Sequence, residues 1–143
     1  MTPDAPSAAA KRSGAQSTPA KHPAYLNLVS FAALGVLPQG LWAGLLVLEG
    51  EDDREKWVNV HDFGAQATIL MAALSTVVAF VWLRHTRRDL LVASGVFTFL
   101  LVLEAYVGGE IGERAWLTAV HFPLAMALMG MAVWLPLRAL RRA

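Results

Sequence analysis

Six polar side chains that could take part in chemistry lie inside long apolar stretches of the sequence. They are Gln39, His61, Asp62, Gln66, Glu104 and His121. Two of the six are imidazoles, which bind transition metals through a neutral ring nitrogen. Because such groups are costly in apolar surroundings unless they have partners, these residues are the first candidates for a functional site.

The chain around these residues has the composition of an integral membrane protein. Of its 143 residues 56% are hydrophobic and only 16% are charged, whereas soluble domains carry about a quarter charged residues. Four apolar stretches run from about 25–48, 57–83, 89–108 and 114–137, and roughly 20 residues suffice to cross a bilayer. We therefore predict an all-α transmembrane four-helix bundle over 23–143, made of two antiparallel hairpins.

The charges between the apolar stretches predict how the chain is oriented. The segment 49–56 has five acids and two bases, and 108–114 has two acids and one base. The segment before the first stretch, the segment 84–89 and the C-terminal end are instead rich in Lys and Arg. The positive-inside rule then places both termini in the cytoplasm, in a multi-pass protein of the inner (plasma) membrane.

The remaining sequence features narrow the function. Residues 1–22 lack apolar periodicity and are expected to form a disordered cytoplasmic tail rather than a signal peptide. The chain has no cysteine, which excludes disulfides and thiolate chemistry. Its basic residues flank apolar stretches, so no nucleic-acid partner is expected, and His22 and His85 in these flanks are expected to be solvated.

The two histidines in the apolar stretches are predicted to lie at the same depth. His61 and His121 each follow the outer end of their span, at roughly 6–10 Å along a helix that rises about 1.5 Å per residue. The two hairpins also resemble each other, because QGLWAG from Gln39 parallels EAYVGG from Glu104, and HDFGA parallels HFPLA. Each hairpin thus supplies one polar residue and one histidine.

This arrangement favours a heme. Heme iron takes axial ligands on opposite faces of a flat ring, and helix bundles build such sites from facing helices. His61 and His121 would be the ligands, with Gln39 and Glu104 beside them. Arg54, Lys56 and Arg114 are the bases near the outer surface that could meet the propionates, and Gly64 and Ala125 would leave room for the ring.

Other interpretations remain open at this point. Zinc would need three or four ligands, for which Glu104 and Asp62 could join the histidines. A proton path through Glu104 and Gln39 is a further option, and the histidines could also serve only as hydrogen-bond partners between helices. Close helix contacts are predicted at Gly64 and Ala72 and at the GxxxG pattern of Gly40 and Gly44, which fits either packing inside the bundle or a homodimer.

The pattern over about 25–137 resembles one four-helix half of heme A synthase, and an uncharacterised family of small four-helix bacterial membrane proteins with paired histidines. The residues that carry the resemblance are Gln39, Ala43, Gly44, His61, Gly64, His121 and Ala125. The resemblance implies heme b ligation by His61 and His121. It does not imply heme A synthesis, because the synthase has an acidic residue three positions before an outer histidine, where this chain has Val58 and Thr118. The second half of the synthase has no counterpart here.

The sequence therefore predicts a small membrane b-type cytochrome with one heme between spans two and four, which transfers electrons and is not an enzyme by itself. A single heme near one surface implies a redox partner subunit or a quinone, in a homodimer or a larger complex. The alternatives are a cofactor-free accessory subunit of a membrane complex, or a protein that handles heme or metal.

Overall fold

The computed structural model describes residues 22–48 and 53–141, and among these the regular structure is entirely helical. Four long helices follow one another: α1 (Pro23–Leu48), α2 (Arg54–Val78), α3 (Arg88–Glu110) and α4 (Thr118–Leu140). The predicted tail, apart from His22, lies outside the described residues.

All four helices are long and apolar enough to cross a membrane, over residues 23–45, 54–83, 88–110 and 115–140. The prediction of four helices that could cross a membrane is thus confirmed, with small differences at the ends. A π-helical turn, Ala79–Leu83, extends α2, and a 3-10 turn, Ala115–Leu117, precedes α4. The helix α2 begins at Arg54 rather than near Trp57, because the polar residues in between are good helix formers.

The helices form a four-sided bundle. Each of α1 and α3 packs against both α2 and α4, whereas the two diagonal pairs pack far less. The closest pair is α1 and α2. The predicted small-residue contacts at Gly64 and Ala72 are present, since Gly64 lies against α1 and Ala72 is fully buried. The histidine-bearing helices α2 and α4 therefore stand at opposite corners.

Buried side chains are concentrated in one half of the bundle. Among the described residues they lie within 25–36, 68–83, 87–101 and 128–135, and Val107 is the single exception. We call this part the packed half. The other part, 37–48, 54–67, 102–110 and 118–127, has the same apolar helices but almost no fully buried side chain, and we call it the open half.

Polar contacts stabilise the packed half. The Tyr25 hydroxyl on α1 lies 2.8 Å from the Ser94 hydroxyl on α3, across the bundle, and both residues are buried. The Arg87 side chain, in a residue only 8% exposed, donates to the backbone carbonyls of Arg138 at 3.1 Å and Arg141 at 3.2 Å. Arg87 and Arg138 also both pair with the Asp89 carboxylate. The C-terminal end of α4 is thereby fixed to the start of α3.

Candidate functional site

The interior face of each helix continues from the packed half into the open half, where it carries polar and small residues. On α1 the buried residues Tyr25, Val29, Ala32 and Val36 repeat every three or four positions, which is the helical period. The next positions in this series are Gln39 and Gly40. When the series of buried residues on the other three helices is continued in the same way, it reaches His61 on α2, Glu104 on α3 and His121 on α4. The four predicted polar residues therefore all lie on interior faces.

Gln39 connects α1 to the first histidine. With its amide oriented so that both ends are satisfied, its NH₂ group donates to Nδ1 of His61 at 2.8 Å. Its carbonyl oxygen accepts from the backbone N–H of Ala65, also at 2.8 Å. A neutral imidazole that accepts at Nδ1 carries its proton at Nε2. In this arrangement His61 thus presents an N–H group on its far side.

Glu104 and the second histidine form a different pair. Oε1 of Glu104 lies 3.0 Å from Nδ1 of His121. Both carboxylate oxygens and Nδ1 are buried and have no hydrogen bond to any described residue. A buried polar group without a partner costs about 1–3 kcal/mol, so this is an unsatisfied polar position in the molecule.

The two pairs have corresponding places in the two hairpins. Gln39 of α1 meets His61 of α2, and Glu104 of α3 meets His121 of α4. Each contact joins the polar residue and the histidine that the repeated sequence pattern gives to one hairpin. The two histidines are on helices at opposite corners of the bundle. The open half thus contains both of these polar pairs.

Glycines allow close approach beside both pairs. A Cβ atom on Gly64 would overlap the Trp42 ring and lie 2.7 Å from the Gln39 amide. A Cβ atom on Gly108 would lie 3.1 Å from Cε1 of His121. Sequence reasoning missed Trp42 and Gly108, since their contacts depend on how the helices are rotated against each other.

The two glycines of the GxxxG pattern on α1, Gly40 and Gly44, do not lie at a contact between helices of the bundle, where one of the two interpretations placed them. A Cβ atom on Gly40 or Gly44 would meet nothing within 4 Å. The interpretation that these glycines bring α1 against another helix of the bundle is therefore wrong, whereas the homodimer stays a prediction. Gly40 instead continues the helical series of α1 as an exposed position without a side chain.

The other predicted residues contribute less. Arg114 lies at the same end of the bundle and pairs with Glu110 at 3.1 Å. Asp62 and Gln66 are exposed, and within the described ranges no three His, Asp or Glu residues form a group that could hold a metal ion. The predicted zinc alternative therefore lacks its ligand set among these residues. His85 is exposed, but His22 stacks on Trp82 with ring centres 4.9 Å apart and is not simply solvated.

A groove of about 340 Å³ lies between α1 and α2 next to this site. Its lining is almost entirely apolar and includes Phe31, Trp42, Phe63, Gly64 and Met71. Neither histidine lines this groove.

Comparison of the chain with protein-family models, with curated proteins and with solved structures found no match in any of the three.

Proposed function

We propose that this protein is a small membrane cytochrome b that binds one heme between α2 and α4 and transfers electrons. The observation that carries the proposal is the position of His61 and His121. They lie on the interior faces of opposite helices, in the half of the bundle where the interior is not packed with large side chains. This placement would let the two imidazoles hold a heme between α2 and α4.

The residues around the histidines fit such a group. The interior positions next to them are small: Gly40, Ala65 and Ala125. A histidine that binds a metal usually donates its other ring N–H to a carboxylate or carbonyl, and Glu104 is an acceptor without a partner at Nδ1 of His121. Ligation at Nε2 would leave Nδ1–H to satisfy it.

Gln39 can serve either proton position of His61. In the arrangement described above its NH₂ group donates to Nδ1, and the same amide turned around presents its carbonyl oxygen to an Nδ1–H. Binding of iron at Nε2 would require the second orientation. The turned amide would accept from the Nδ1–H of His61 and would lose the bond from the backbone N–H of Ala65, because its NH₂ group would then face that donor.

The bound heme would supply reversible one-electron chemistry. The protein would hold it through His61 and His121, exclude water with four apolar helices, and offer Arg114 to a propionate near the end of the bundle. A site at one end of the bundle implies an electron donor or acceptor close to that surface, either a partner subunit or a quinone.

We further infer that the helices form two antiparallel hairpins with both termini in the cytoplasm, in the plasma membrane. The alternating charge of the connecting segments supports this orientation. It would place the open half, and therefore the heme, on the outer side.

A cofactor-free accessory subunit is the second candidate. It is favoured by the same contacts, since Gln39 with His61 and Glu104 with His121 each connect two neighbouring helices. Polar pairs between transmembrane helices stabilise a bundle without any cofactor.

A spectrum separates the two candidates. The full chain is produced in a host that supplies heme, purified in detergent, and measured as a reduced-minus-oxidised spectrum. We expect the sharp bands of a low-spin heme b, and their loss in His61→Ala and in His121→Ala. His22→Ala and His85→Ala are matched controls outside the interior faces and should keep the bands. A colourless wild-type protein would contradict the cytochrome and favour the accessory subunit.

A further inference from the structure

The two histidines differ in the group that meets Nδ1. His61 has the neutral amide of Gln39 and His121 has the carboxyl group of Glu104, although the two hairpins are otherwise alike at this level. An imidazole whose N–H donates to a carboxylate becomes a more basic ligand than one whose N–H donates to an amide. The two candidate iron ligands are therefore chemically unequal.

Within the described part of the chain nothing else satisfies the Glu104 side chain. Neither of its oxygens accepts a hydrogen bond, and no described Lys or Arg pairs with it. Oε1 of Glu104 lies 3.0 Å from Nδ1 of His121. The Glu104 carboxyl group therefore acts on His121, both as a hydrogen-bond acceptor and through any charge that it carries.

We propose, on the basis of the heme site proposed above, that Glu104 is a positioning residue that lowers the midpoint potential of the heme through His121. A more basic axial ligand stabilises the ferric iron, which carries the larger positive charge, over the ferrous iron. Gln39 has no such effect on His61 because its amide is neutral. The midpoint potential of the heme would then be adjusted by Glu104 of α3 through His121 of α4.

The test is a redox titration of the purified holoprotein at one fixed pH. Glu104→Gln replaces the carboxyl group by an amide of nearly the same shape and makes the two sides alike. We expect the midpoint potential to rise, with the ratio of reduced to oxidised heme increasing tenfold or more at a given applied potential. For a one-electron couple a tenfold change in this ratio corresponds to 59 mV. Gln39→Glu adds a carboxyl group against His61, and we expect a shift in the opposite direction.

Asp62→Asn is the matched control for charge alone. Asp62 is an exposed carboxylate next to His61 in the sequence. Asp62→Asn also replaces a carboxylate by an amide, but it changes no group at a ring nitrogen of a histidine. We therefore expect less than a twofold change in the ratio of reduced to oxidised heme.

The outcomes distinguish the inference from the proposed function. A wild-type protein without heme overturns both. Heme that remains in Glu104→Gln with the wild-type potential overturns only the role of Glu104, and the cytochrome stands. If Glu104→Gln loses its heme, the midpoint potential of Gln39→Glu gives the answer. A potential below that of the wild type supports the inference, and an unchanged potential overturns it. Loss of heme from both variants also overturns it, because the two side chains would then hold the ligands in place rather than adjust the potential.

Discussion

The indole ring of Trp42 on α1 lies directly against the α-carbon of Gly64 on α2, where no larger residue could be accommodated without a shift. The same glycine lies next to the amide of Gln39, which bonds to His61 one helical turn away. The closest helix pair in the bundle is therefore also the pair that positions the first histidine.

Gly64→Ala is expected to destabilise the protein although alanine is the better helix former. The added methyl group overlaps the Trp42 ring, and overpacking of this kind typically costs about 1–3 kcal/mol. Thermal unfolding in detergent measures the effect. Gly130→Ala on α4 is the matched control, because nothing lies within 4 Å of its added Cβ, and it should be neutral or stabilising by up to about 1 kcal/mol. Equal stability of the two variants would contradict the close contact. Trp42→Ala should partly restore Gly64→Ala.

Gly108→Ala is expected to disturb the second histidine without unfolding the bundle. Its Cβ would lie 3.1 Å from Cε1 of His121, so the imidazole must move by a few tenths of an ångström. Changes next to a metal ligand commonly reduce affinity about 10–100-fold, and we expect a comparable loss in the affinity of the purified protein for added heme. Gly109→Ala, with nothing within 4 Å, should bind heme like the wild type. A normal affinity in Gly108→Ala would show that His121 has room to adjust.

The four spans were predictable because long apolar stretches and alternating loop charges are properties of the sequence itself. The interior positions of His61 and His121 could also be predicted, since polar groups at membrane depth face the protein. The rotation of each helix could not be predicted. The packing of the GxxxG pattern inside the bundle was therefore wrong, since Gly40 and Gly44 meet no other helix among the described residues. Gly108, which stands in the EAYVGG segment but was given no packing role, lies against a histidine.

The same limit applies to the basic residues at the other end of the bundle. Arg84, Arg87 and Arg88 look alike in the sequence and all support the predicted orientation. Only Arg87 of these three is buried, because the short connection between α2 and α3 turns it toward the end of α4. Its role follows from the packing of α3 against α4, which no local pattern specifies.

Arg87→Ala is expected to lower the stability of the bundle by about 2 kcal/mol or more. The substitution removes the donor that meets the carbonyls of Arg138 and Arg141 and the carboxylate of Asp89, and hydrogen bonds to charged groups contribute about 1.5–3 kcal/mol. Thermal unfolding in detergent again gives the measurement. Arg88→Ala, an exposed neighbour, should change stability by no more than about 0.5 kcal/mol. Similar losses of stability in both variants would contradict the role of Arg87 in fixing the C-terminal end of α4 to the start of α3.

The orientation of the bundle can be tested by cysteine labelling, because the chain has no cysteine of its own. Glu113 and Thr86 are exposed residues in the connections that follow α3 and α2, at opposite ends of the bundle. We expect a membrane-impermeant maleimide to label Glu113→Cys in intact cells and Thr86→Cys only after the membrane is permeabilised.

The physical reason for this expectation is the retention of Arg-rich segments on the cytoplasmic side. The wild-type chain controls for unspecific labelling, and labelling after permeabilisation shows that each cysteine is reactive. The reverse pattern would place His61 and His121 on the cytoplasmic side, and any electron donor or acceptor would then have to be sought there. Labelling of both variants in intact cells would mean that the two connections lie on one side, which four spanning helices do not allow.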